Sequence, residues 1–132
     1  MTSRILIAGG GLAAQRAAET LRARGYDGGI QVICAEPVAP YDRPPLSKEL
    51  VGTPFRPDGW YADNDIALLL GRRACALDVG ARQVLLEDAA VGYETLVVAT
   101  GSRPRRLPAL VGRPNALELR TIADAERLRS VL

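Results

Sequence analysis

The sequence of 132 residues has no histidine, one methionine, one tryptophan and one phenylalanine, and aromatic residues make up 5% of it. Val, Ile, Leu and Ala must therefore fill whatever core it builds. Lysine is almost as scarce: sixteen of the seventeen basic residues are arginine, and Lys48 stands alone. The net charge is only +2, which argues against nucleic acid as a partner, because a surface that tracks phosphates needs a clear basic excess. Cysteine is limited to Cys34 and Cys75, each inside an apolar run and far from the other. That spacing excludes a CxxC redox or zinc motif and leaves two buried free thiols as the expectation. No apolar run approaches the ~20 residues of a membrane span. The run Ile5–Ala8 is too short for a secretory h-region and leads straight into glycines, so a cytoplasmic setting without a membrane is expected. No residue offers itself as an acid–base catalyst.

What remains is the balance of a globular protein, with 48% hydrophobic and 24% charged residues in a length that suits one domain. Arg4–Ala8 reads as a strand that breaks at Gly9-Gly10-Gly11. A helical pattern follows, with Ala14, Ala17, Ala18 and Leu21 on one face and Arg16, Glu19, Arg22 and Arg24 on the other, closed by Gly25. Ile30–Ala35 is a second strand. This strand–helix–strand unit implies parallel pairing with a right-handed crossover. Further on, Ile66–Leu70, Ala74–Val79 and Gln83–Glu87 read as short strands, Glu94–Ala99 as a buried strand, and Thr121–Asp124 as a capped helix start. The expected fold is α/β: a Rossmann-like parallel sheet of Arg4–Ala8, Ile30–Ala35 and Glu94–Ala99 with a small antiparallel β-meander from residues 74–87.

Residues 36–59 differ from the rest. Six prolines fall between Pro37 and Pro57, with a short helix expected around Ser47–Val51. A segment that also carries Tyr41, Leu46 and Phe55 has reason to be ordered over something, since long irregular stretches inside compact domains are usually functional when they are not disordered.

Two constellations carry chemistry. In Gly9-Gly10-Gly11-Leu12-Ala13-Ala14, a GxGxxA between strand and helix, Gly9 permits the tight turn. Gly11 lets the backbone approach a pyrophosphate at the helix N-terminus, and Ala14 lets helix and strand pack closely. Glu36 ends the second strand, where an acid accepts hydrogen bonds from ribose hydroxyls. A ligand-free glycine turn is the plain alternative, but strand, helix, second strand and terminal acid agree on a dinucleotide. NAD and FAD are not distinguished by these residues. The second constellation is Pro40-Tyr41-Asp42-Arg43-Pro44-Pro45-Leu46-Ser47-Lys48. The prolines are expected to hold Arg43 extended, with its planar fork of donors suited to phosphate or ribose oxygens. Lys48, a compact cation, suits the pyrimidine side of a flavin. The alternative is a stiff loop with solvated charges.

At this segment the sequence resembles the FAD-dependent ferredoxin reductases of the pyridine nucleotide-disulfide oxidoreductase superfamily. That family carries a GxGLA-type loop, then YxRPPLSK, then ATGxxPR, then LRT followed by D-A. Here these stand as Gly9–Ala13, Tyr41–Lys48, Ala99–Arg105, Leu119–Thr121 and Asp124-Ala125, so the resemblance spans nearly the whole chain. It implies an FAD site in which Gly9, Gly11, Leu12 and Ala13 meet the pyrophosphate and Glu36 the adenosine ribose. It further implies that Ala74 presents its backbone to the adenine, that Arg43 and Lys48 contact the cofactor with Lys48 near the flavin ring, and that Thr100, Gly101 and Arg120 line it. Residues 36–60 hold no cysteine, so the thiol–disulfide chemistry of related reductases is excluded from that segment.

The resemblance also implies domains that the 132 residues do not contain. Residues 1–110 would be the first half of an FAD-binding domain, and 111–132 the connection toward an absent NAD-binding domain. The expected function is the FAD-binding portion of an NAD(P)H-dependent reductase that passes electrons to a ferredoxin-like iron–sulfur protein. The alternatives are a stand-alone nucleotide-binding or oligomerisation module without turnover, and a small NAD enzyme, in which the RPPLSK segment has no role. An incomplete domain is expected to be inactive alone, to leave Ile5, Ile7, Val97 and Val98 partly uncovered, and to self-associate.

Overall fold

A computed structural model describes residues 4–132, which divide into two compact units. The first unit comprises the chain up to Tyr41 and Pro54–Gly101, and the second comprises Asp42–Thr53 and Ser102–Leu132.

The first unit opens with β1 (Arg4–Ala8), α1 (Leu12–Ala23) and β2 (Gly29–Cys34). The chain then runs through the two-residue β3 (Tyr41–Asp42), the helix α2 (Pro44–Glu49) and β4 (Thr53–Pro54), which pairs with β3. The short helix α3 (Trp60–Asp63) leads into β5 (Ile66–Leu70), and β6 (Ala76–Asp78), β7 (Gln83–Leu85), β8 (Ala90–Gly92) and β9 (Thr95–Val98) complete the unit. The strands β5-β2-β1-β9 form one sheet, parallel throughout, with Ile7 opposite Val32 on one side and Val97 on the other. The strands expected to be parallel neighbours are neighbours. β5, read from sequence only as a short strand piece, joins them next to β2, because its five apolar residues suit a sheet covered on both faces.

The period-2 alternation of β1 divides the core. Ile5 and Ile7 point to one face with Ala14 and Ala18 of α1, Ile30, Val32, Cys34, Tyr61 and Ile66. Leu6 points to the other with Ile33 and Val84, which belong to the sheet's far face and the antiparallel meander β6-β7-β8. The meander is longer than residues 74–87 suggested, since Ala90–Gly92 adds a third strand against β7. The alanine stripe of α1 allows the helix to lie close to the sheet. Gly25, at φ +81°, ends α1, its N–H bonded to the Arg22 carbonyl and the Tyr26 N–H to Leu21.

Several details depart from the sequence reading. Ile5 is buried and Ile7 fully so, because β1 has a neighbour on each side and α1 above; of the four expected to be partly uncovered, Val97 is half-buried and Val98, on the edge strand, is exposed. Cys34 is buried, but Cys75 is exposed, as are all three residues of β6 that follow it. Arg22, placed by periodicity on the solvent face, turns inward to donate to the carbonyls of Asn64, Asp65, Tyr26 and Gly28 at 2.6–2.9 Å.

In the second unit, α2 spans Pro44–Glu49 rather than Ser47–Val51. Proline is tolerated in a first helical turn, where the missing N–H has no partner to lose. The same placement corrects Arg43, which is not extended. It sits in the right-handed helical region at φ −84°, ψ −33° as the N-cap, and its carbonyl accepts the Leu46 N–H at 2.9 Å. A 3-10 turn at Pro108–Leu110 precedes α4 (Ile122–Arg129). The start of α4 is capped as expected: the Asp124 N–H donates to Thr121 Oγ1 at 3.1 Å, and the Thr121 N–H donates to Asp124 Oδ2 at 2.8 Å. Among the described residues no helix is long and apolar enough to cross a membrane.

Candidate functional site

Parallel strands deliver their carboxyl ends to one edge of the sheet, and the first unit gathers its candidate residues there. β1 ends at Ala8, beside Ile33 of β2 and Val98 of β9. Just beyond these ends stand Gly9–Ala13, Glu36, and Thr100-Gly101. This is the crevice in which open α/β sheets bind ligands.

Gly9 is required by its surroundings. Its φ is +125°, and a Cβ there would overlap the carbonyl of Ala99. The Gly9 N–H reaches the Ile33 carbonyl at 2.9 Å, and the Ala99 N–H reaches the Ala8 carbonyl at 2.8 Å, so the loop is tied to both neighbouring strands. Gly10 is also confined, since a Cβ would come within 2.9 Å of Cys34 Sγ. Burial beneath this loop, with Glu36 nearby, pushes the Cys34 thiol up to about 11, so it stays protonated and inert. Gly11 is different. A Cβ on it would meet nothing within 4 Å, so the protein itself does not demand glycine there.

That open position lies at the start of α1. Gly11 is its N-cap with extended backbone, no side chain caps the helix, and no acidic residue occupies the first turn. The first N–H groups of a helix have no partners within it and carry its partial positive charge. Exposed Leu12 and Ala13 leave them accessible. A glycine with space above it, over uncapped donors, fits an approaching pyrophosphate. Glu36 stands half-buried after β2; its carboxylate accepts the Tyr41 hydroxyl at 2.6 Å and its carbonyl accepts the Gly71 N–H at 3.0 Å. Ala74 lies beyond β5, half-buried against the cluster of Leu6, Ile33 and Val84.

The remaining candidates belong to the second unit. The Arg43 guanidinium donates to the Arg120 carbonyl at 2.5 Å, which brings these two residues together. The Arg120 N–H in turn donates to Asp124 Oδ2 at 3.0 Å, so the connection before α4 is held from both sides. Burial pushes the Asp124 carboxyl up, but the hydrogen bonds from Thr121 and Arg120, with Arg127 nearby, outweigh it and hold the group below the usual carboxylate range. Lys48 is exposed in the last turn of α2. Sequence reasoning missed Tyr41 as a partner of Glu36; its place in the proline-rich segment gave no signal that its hydroxyl turns back to the second strand. Among the described residues no cluster of His, Cys, Asp or Glu could hold a metal ion.

A four-stranded parallel sheet, a glycine loop entering an uncapped helix and an acid at the end of the next strand define a Rossmann-type α/β protein. The pyridine nucleotide-disulphide oxidoreductase model matches residues 3–132, and the chain belongs to that family. It is 37% identical over 137 residues to a rubredoxin-NAD(+) reductase of Pseudomonas putida, an alignment that covers 97% of this chain and 36% of the relative. It is 39% identical over 140 residues to the biphenyl dioxygenase system ferredoxin–NAD(+) reductase component of Paraburkholderia xenovorans, covering 100% of this chain and 34% of that protein. Among solved structures, the covalent putidaredoxin reductase–putidaredoxin complex contains a chain that superposes with a TM-score of 0.89 at 37% identity, over 98% of this chain and 34% of that one. The chain thus spans about a third of the length of these relatives.

Proposed function

We propose that the chain is the FAD-binding portion of an NAD(P)H-dependent flavoprotein reductase that works in the cytoplasm and passes electrons to a ferredoxin-like iron–sulfur protein. The observation that carries the reading is the uncapped start of α1 beneath Gly11, on the same sheet edge as Glu36. In this reading Gly9, Gly11, Leu12 and Ala13 receive the pyrophosphate, Glu36 takes the adenosine ribose, and Ala74 offers backbone to the adenine. Arg43, Lys48, Thr100, Gly101 and Arg120 complete the surroundings of the cofactor, with Lys48 toward the flavin ring. FAD bound there would supply hydride acceptance and electron transfer, chemistry that belongs to the cofactor. The protein's part is to bind, orient and tune, which suits a chain without an evident acid–base catalyst.

The proposed organisation is residues 1–110 as the first half of the FAD domain and 111–132 as the connection toward an NAD-binding domain. The names of the relatives support an iron–sulfur or rubredoxin-type acceptor. Self-association of the 132 residues is supported by β9, which pairs only with β1 among the described residues and exposes Val98. Light scattering tests that part. Titration of flavin fluorescence with and without competing NAD tests the cofactor: FAD should bind more tightly, and tighter NAD binding would remove the flavin assignment.

A further inference from the structure

We propose that Tyr41 is a positioning residue for ribose recognition: its phenol holds the Glu36 carboxylate in the orientation that receives the adenosine hydroxyls. The inference rests on the assignment of Glu36 to the ribose and extends it to a second residue, one that the proline-rich segment does not mark.

Tyr41 is 4% exposed, and its hydroxyl donates to Glu36 Oε2 at 2.6 Å. That distance is typical of a hydroxyl donating to an ionised carboxylate, among the stronger hydrogen bonds proteins make. A phenylalanine ring would fill the same space, and a buried hydroxyl is costly unless partnered. The oxygen is therefore explained by Glu36 and not by packing. Both ends of the pair are anchored. Glu36 is fixed through its carbonyl by the Gly71 N–H at 3.0 Å, and the Pro40 carbonyl beside Tyr41 accepts the Phe55 N–H at 3.2 Å.

The physical effect is preorganisation. A glutamate at a strand end has three rotatable side-chain bonds, and ordering it when ligand arrives subtracts from affinity. With the phenol on Oε2, the carboxylate is already turned and held before the nucleotide enters. Tyr41 touches no ligand in this scheme. Its effect on binding passes wholly through Glu36, so it should appear only with ligands that carry the hydroxyls Glu36 reads.

The test uses the full chain with four variants: the parent, Tyr41→Phe, Glu36→Ala and the double substitution. Each is titrated with FAD and with an FAD analogue lacking both adenosine ribose hydroxyls, and melting temperatures are recorded. Tyr41→Phe should weaken FAD about tenfold, a size suited to one side chain that must be ordered anew. It should change analogue binding much less, so the preference for FAD over the analogue shrinks. In the Glu36→Ala background, Tyr41→Phe should have no further effect. Equal weakening of both ligands would make Tyr41 a packing residue and overturn the inference. So would unchanged FAD affinity in Tyr41→Phe while Glu36→Ala binds poorly. If Glu36→Ala itself binds FAD normally, the ribose assignment of Glu36 falls, and the role of Tyr41 falls with it.

Discussion

The two longest helices begin in opposite ways. α4 enters through a complete capping box, with Thr121 and Asp124 each bonded to the other's backbone N–H and Asp124 also receiving the Arg120 N–H. α1 enters from Gly11 with no side-chain cap and no acid in its first turn. A capped start is satisfied by its own sequence. An uncapped start beneath glycines keeps its donors for something else, and in a chain of this family that is the proposed pyrophosphate. For the two helix starts the contrast is between donors satisfied by side chains of the protein and donors that face space.

The largest effect expected is at Gly9, where the protein allows no side chain. Gly9→Ala forces an alanine to φ +125° and drives its Cβ into the Ala99 carbonyl. The combined strain and overpacking should cost about 3–5 kcal/mol, read as a lowered denaturant midpoint. Gly11→Asp should do the reverse to the fold and more harm to the site. A carboxylate at the N-cap supplies α1 with the cap it lacks and should stabilise the chain by about 0.5 kcal/mol. It also places negative charge where the pyrophosphate would lie, so FAD affinity should fall about a hundredfold, roughly 2.7 kcal/mol. A stabilised variant that kept full flavin affinity would erase the contrast between the two helices.

Removing the cap that α4 does have is a smaller perturbation. Thr121→Ala should cost about 1 kcal/mol in thermal or chemical unfolding. The smallest effect is in pH dependence. Asp124 has its carboxyl held below the ordinary value in the folded chain. Its contribution is therefore complete above the usual carboxylate range and is lost as pH falls through and below it. Asp124→Asn should flatten that acid limb without moving stability near neutral pH by more than the lost box. An unchanged acid limb would mean that another carboxylate dominates it.

Much of this was legible because it is written in local pattern. Three glycines after a four-residue apolar run, alanines at helical spacing and Thr121 three residues before Asp124 each specify their own neighbourhood. What was not legible depends on partners distant in the chain. Arg22 looked solvated because periodicity reports a face and not the Asn64 and Asp65 carbonyls that pass beside it. Cys75 looked buried because it falls in an apolar run, but the whole of β6 that continues that run is exposed. Arg43 looked extended because the rule for a residue before proline yields when that residue caps a helix and its guanidinium meets the Arg120 carbonyl. At the site, Gly9 and Glu36 could be picked out by position, but that the Ala99 carbonyl confines Gly9 and that Tyr41 holds Glu36 could not.

The close approach of the Ala99 carbonyl to Gly9 also bears on the order of folding. β1 and β2 are joined by a short helical crossover, whereas Ile5 and Thr95 pair across about ninety residues of chain, and a contact that distant is slow to close. The strand–helix–strand half should therefore assemble early and β9 dock late. Because the Ala99 carbonyl arrives with β9, the glycine loop gains the neighbour that confines it only at that last step. The part of the sequence most easily read as a nucleotide site would then be among the last to acquire its final shape.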